Sequence, residues 1–214
     1  MNAENIGEEN GISTSQIKDY KDKVKQYHEE LTSEREEGRI GFYELPYDKK
    51  TLKDIEKFAD KNKKKFNNFV VLGIGGSALG NIALQNSLNH LYYNQFTNKK
   101  RKTPRIHVLD NVDPELISDF LDINDPEKTL FNVISKSGST AETAAQFLIF
   151  VDILKKKLGK KFTKNLVVTT DKEKGTLREI ANTYGIQSFE VPENVGGRFS
   201  VLTSEIGRAS CRER

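Results

Sequence analysis

Apolar residues recur along this chain with two different periods. Ile17, Tyr20, Val24, Tyr27 and Leu31 follow one another at alternating steps of three and four, the spacing of one helix face, with Ser13 and Thr14 as caps. Leu52, Ile55 and Phe58 or Ala59 predict a second helix. From there short apolar and β-branched runs alternate with helical stretches. Strands are predicted over residues 69–74, 105–110, 129–135, 166–169 and 187–191, and helices over 78–92, 114–121, 140–158 and 176–184. Strands that alternate with helices mean parallel pairing through right-handed crossovers. The expectation is an α/β chain: a three-layer α/β/α sandwich around a five-stranded parallel sheet, flavodoxin-like, preceded by N-terminal helices. A ligand belongs at the carboxyl ends of such strands.

Composition narrows the class. The 214 residues suffice for one α/β domain, and 36% hydrophobic against 30% charged residues reads as soluble and globular. No apolar run approaches a membrane span, and the acidic, polar residues 1–15 lack the order of a signal peptide, so the expected compartment is the cytoplasm, with no membrane partner. Lysine clusters at residues 61–65, 99–102 and 155–161 raise the question of nucleic acid. With 34 basic against 31 acidic residues there is little net field, and a solvated surface is the better reading.

The candidate chemistry lies where predicted strands break into loops. Val133 and Ile134 stop in Ser135-Lys136-Ser137-Gly138-Ser139-Thr140, after which the long helix begins. Hydroxyls and unpaired N–H groups at a helix start form an anion site, favoured by the helix dipole. One cap needs one hydroxyl, and this loop has four, so a phosphate loop is the reading. Upstream, an apolar strand runs into Gly73-Ile74-Gly75-Gly76-Ser77-Ala78. Gly73, Gly75 and Ala78 satisfy a dinucleotide fingerprint, but the first candidate acidic residue, Asp110, falls well beyond the required spacing of about 20 residues. No phosphate-binding G-x-x-x-x-G-K-[ST] motif occurs. A third loop carries Gly196-Gly197-Arg198, in which glycines admit close backbone approach and the arginine adds a permanent planar cation. Two strand-to-helix loops on one sheet edge suit a small phosphorylated ligand held from two sides.

Taken together, Gly-Ile-Gly-Gly-Ser-Ala-Leu-Gly (73–80), Ser-Lys-Ser-Gly-Ser-Thr-Ala-Glu-Thr (135–143) and Glu-Asn-Val-Gly-Gly-Arg-Phe-Ser (193–200) closely resemble, in order and spacing, the three signatures of the glucose-6-phosphate isomerase family. The resemblance covers roughly residues 15–203, including the Gly-Phe-Tyr-Glu-Leu-Pro segment at 41–46. It implies a sugar-isomerase (SIS) domain over residues 61–204 behind a helical segment over 1–60, with a second such domain absent. It further implies that Ser135, Lys136, Ser137, Gly138, Ser139 and Thr140 hold phosphate and that Gly76 and Ser77 contact the sugar. Arg198 matches the arginine that stabilises an enediolate, and Glu142 the carboxylate that orients a ring-opening histidine. The implied substrates are glucose 6-phosphate and fructose 6-phosphate, with neither cofactor nor metal, and the full-length form is expected to be a homodimer. The alternatives are a stand-alone SIS module acting as a sugar-phosphate-binding regulator and, more weakly, a dinucleotide-binding domain.

The family's base glutamate, ring-opening histidine and C-terminal lysine all lie downstream of the Gly-Gly-Arg signature. His28, His90 and His107 read as structural or exposed, not as replacements. These residues are expected to bind but not to isomerise. Residues 205–214 lack a helical apolar stripe and read as the translation of a common sequencing adapter, so they are expected to be non-native, together with the only cysteine, Cys211.

Overall fold

The computed structural model of the chain describes residues 10–206. Two helices come first, α1 (Thr14–Asp19) and α2 (Lys21–Glu36). Ser13 caps α1 in a reciprocal arrangement with Gln16. The predicted stripe forms on helix, yet it meets solvent: Ile17, Tyr20, Val24, Tyr27 and Leu31 are all exposed. Helix α3 (Lys49–Asn62) is capped by Asp48, whose carboxyl is held below its usual range by hydrogen bonds from Thr51.

Five strands follow: β1 (Asn68–Leu72), β2 (Arg105–Leu109), β3 (Thr129–Ser135), β4 (Leu166–Thr170) and β5 (Gln187–Glu190). They form one sheet in the order β2-β1-β3-β4-β5, and every pairing is parallel. The helices between them are α4 (Gly76–Leu88), the short α5 (Asn98–Arg101), α6 (Pro114–Ile123), α7 (Ala141–Leu158) and α8 (Thr176–Tyr184). Because the chain steps from β1 to β2 in one direction and from β1 to β3 in the other, right-handed crossovers put α4 on one face and α6 to α8 on the opposite one. This reversal creates a crevice between the carboxyl ends of β1 and β3.

Alternation along the strands sends side chains to both faces. Val70, Leu72, Phe131, Val133, Leu166 and Val168 point one way, into a core with Ile117 and Phe120 of α6 and Phe147, Phe150 and Leu154 of α7. Phe69, Val71, Leu130, Ile134 and Val167 point the other way, with Phe58 of α3 and Phe189 against them. On this second side a cavity of about 420 Å³ remains, lined by Ile55, Phe58, Phe66, Asn132 and Phe189 among others. The predicted strands match within a residue or two. Helix α4 starts earlier and stops sooner than residues 78–92, since Gly76 already has helical partners and Asn89 leaves in an extended conformation.

Candidate functional site

Three loops leave the carboxyl edge of the sheet, after β1, β3 and β5, and carry the residues singled out above. The β1 loop turns at Gly75, whose φ of +56° is a conformation that glycine adopts without strain. Gly73 packs under it, where an added Cβ would lie 3.2 Å from the Ile134 carbonyl oxygen. The backbone just after β1 therefore lies against the carboxyl end of β3 at the crevice.

The 135–140 loop is tightly self-bonded at its base. The buried Ser135 side chain accepts from the Gly138 N–H at 3.1 Å and pairs with the Thr140 hydroxyl at 3.0 Å. Gly138 has φ +69° and leans on Gly175, so the loop is braced by the turn between β4 and α8. In that turn the N–H groups of Glu173 and Lys174 donate to Asp171, keeping its carboxyl below the usual range. Ser137 and Ser139 are exposed above this base, and Ser137 accepts from the Ser139 N–H at 3.3 Å. Helix α7 has no side-chain cap at Thr140. The first-turn N–H groups of an 18-residue helix thus open onto a ring of hydroxyls, the arrangement an anion needs. Glu142 sits exposed in that first turn.

The third loop crosses over to the first. Gly197 and Arg198 begin a 3-10 segment (Gly197–Leu202) lying along α4, where Gly76 and Gly80 form its bed. A Cβ on Gly76 would be 2.0 Å from the Gly197 carbonyl oxygen, and one on Gly80 would be 2.4 Å from a methyl of Val201. Arg198 is exposed, with no ion-pair partner among the described residues. Ser77 donates to Glu205 at 3.2 Å, and Ser200 donates to the same carboxylate at 2.6 Å. Burial pushes the Glu205 carboxyl above its ordinary pKa. The other residues of the expected tail, 207–214, lie outside the described residues.

Lys136 differs from its neighbours. Its ammonium donates to the carbonyls of Glu193 at 2.9 Å and Val195 at 2.6 Å, on the third loop. Sequence reasoning missed three supporting residues. Asn194 donates to Gly38 O and accepts, through its own carbonyl, from the Gly41 N–H. Phe42 stacks on Phe199 with 4.7 Å between ring centres. Gly175 gives room for the Ser137 carbonyl, which would lie 2.4 Å from an added Cβ. The spacing of Gly76 and Gly80, one helical turn apart, was the available signal for the docking groove. Among the described residues no cluster of side chains suits a metal, and no helix is long and apolar enough to cross a membrane.

A parallel sheet of order 2-1-3-4-5, with a hydroxyl-lined loop and an uncapped helix at its reversal point, defines a flavodoxin-like α/β domain. The family model for phosphoglucose isomerase matches residues 51–211. The chain belongs to that family. It is 48% identical over 193 residues to a glucose-6-phosphate isomerase of Carboxydothermus hydrogenoformans, covering 90% of this chain and 42% of the relative. A crystal structure of a hypothetical protein from Thermus thermophilus superposes with a TM-score of 0.80 and 37% identity, over 92% of this chain and 45% of that one. That of a glucose-6-phosphate isomerase from Chlamydia trachomatis gives 0.61 and 28%, over 74% and 28%. The chain thus spans less than half the length of these relatives.

Proposed function

We propose that this chain forms the sugar-phosphate-binding first half of a glucose-6-phosphate isomerase. The observation that carries the reading is the 135–140 loop, where exposed Ser137 and Ser139 stand over the open N–H groups of α7 at the sheet's reversal point. Phosphate sits there, and the sugar extends toward Gly76 and Ser77. Arg198, held over Gly76 by the close backbone approach, supplies positive charge where an enediolate develops between C1 and C2. Glu142, in the first turn of α7, orients the ring-opening histidine.

The proton-transfer groups belong to sequence beyond the Gly-Gly-Arg loop, so residues 1–214 alone bind substrate and do not turn it over. The complete enzyme works in the cytoplasm as a homodimer. Glu205 onward is read as foreign sequence. Thermal denaturation with added fructose 6-phosphate or NAD tests the reading against the dinucleotide alternative. Stabilisation by the sugar phosphate alone is expected, and stabilisation by NAD alone contradicts it.

A further inference from the structure

Resting on that reading, we infer that Lys136 serves as a positioning residue, its side chain fastening the Arg198 loop to the phosphate loop instead of binding the anion. The residue sits inside the hydroxyl cluster, where a lysine would be taken for a phosphate ligand. Its ammonium instead reaches 57 and 59 residues along the chain to the carbonyls of Glu193 and Val195. Hydrogen bonds from a charged donor are stronger than neutral ones, and Lys136 makes two of them to this segment.

The segment it holds, residues 193–195, precedes the part of the loop that rests on α4. Residues 193 and 194 are exposed, and residues 196–199 are exposed as well. Val195 is the buried anchor at 0% accessibility. On the outer side, Asn194 ties the segment to Gly38 and Gly41 of the N-terminal region, and Lys174 pairs with Glu193 at 3.1 Å through fully solvated groups, which contributes little. On the inner side Lys136 supplies the two side-chain bonds. Three residues beyond Val195 lies Arg198, whose backbone rests on Gly76. The lysine backbone is itself fixed, since its carbonyl accepts from the Asp171 N–H at 3.2 Å. A path thus runs from the phosphate loop through Lys136 to the start of the loop bearing the cation, while the far part of that loop rests on α4 at Gly76 and Gly80.

The test compares amide hydrogen exchange in the 214-residue chain with that of Lys136→Met and Lys136→Arg, and follows inorganic phosphate binding at the amides of residues 137–140. Lys136→Met is expected to speed exchange at Gly41, Val195 and Phe199 by about tenfold or more, while Val71 and Val133 in the sheet stay within about threefold. Phosphate affinity should stay within about threefold of the parent, because no ligand group is lost. Lys136→Arg, which keeps a donor, should recover part of the protection. Exchange that rises equally in the sheet, or does not rise in the loop, overturns the inference, as does a loss of affinity of about tenfold with loop exchange unchanged. If the parent binds no phosphate, the functional reading fails while the exchange result still decides the role of Lys136. Should the methionine variant not fold, the Nζ resonance of the parent decides. Slow solvent exchange and a coupling to the Val195 carbonyl are expected, and a freely rotating ammonium contradicts the assignment.

Discussion

Replacing Gly76 by alanine asks whether the arginine loop truly lies on α4. The new Cβ would stand 2.0 Å from the Gly197 carbonyl oxygen and 2.7 Å from its carbon, against ordinary contacts of 3.4 Å or more. The obstacle is backbone on both sides, so no rotamer relieves it and the loop must retreat by about an ångström. Such overpacking costs about 1–3 kcal/mol, whereas alanine in a helix returns only about 0.5–1 kcal/mol relative to glycine. The net expectation is a loss of about 1–2 kcal/mol, or about 2–8 °C in Tm for a domain of this size. Gly197→Ala is the control, since a Cβ there meets nothing within 4 Å. Urea unfolding of the two variants gives the free energies, and amide shifts locate the disturbance at residues 196–201 and 76–80. A Gly76→Ala protein as stable as the parent, with those shifts unmoved, would refute the docking.

Other substitutions probe the scaffold and its titration. Burial pushes the His107 imidazole down to about 4, with Arg105 and Arg101 adding to the effect. The unfolded chain takes up that proton near the ordinary pKa of 6.5, so the contribution is complete above 6.5 and is lost as pH falls toward 4, by up to about 3 kcal/mol. His107→Phe, which keeps the edge contact with Phe120, should flatten that slope in urea unfolding at pH 4.5 and 7.5; an unchanged slope would assign it to other groups. The Glu205 carboxyl shifts the opposite way, so its unfavourable effect grows as pH rises through its folded pKa. Glu205→Gln should therefore stabilise the chain at pH 8 and have little effect at pH 4, and the reverse order would contradict its burial. Arg178 donates from inside the fold to Asp171 O at 2.9 Å and to Ser188 at 2.7 Å. Arg178→Ala should cost about 2–4 kcal/mol in the same assay and loosen the turn that braces Gly138; a loss below about 1 kcal/mol would mean water replaces the guanidinium.

Much of this was legible from residue order alone. Valine and isoleucine runs at 70–71 and 133–134 could only be buried strands, and the serines after β3 announced a helix start with more hydroxyls than a cap uses. The expected five parallel strands are present. Side-chain direction was harder to read, because Lys136 and its carbonyl partners are separated by 57 and 59 positions and no local period links them. The exposure of the stripe on α1 and α2 was equally hidden: helical spacing shows that a face is apolar, not what covers it. Glu205 escaped for a third reason, since residues set apart as foreign still occupy space beside Ser77 and Ser200.

The claim that matters most is that the 135–140 loop holds phosphate, and amide-resolved titration with fructose 6-phosphate tests it directly. Resonances of Ser137, Gly138, Ser139, Thr140 and the first turn of α7 should shift together with a single dissociation constant. In the double variant Ser137→Ala, Thr140→Ala the response should be largely lost, because two hydrogen bonds to a charged group are removed, worth about 1.5–3 kcal/mol each. Shifts that persist unchanged in the double variant, or that fall at the cavity beneath α3 instead of at the carboxyl edge of β3, would show that the loop is not the phosphate site.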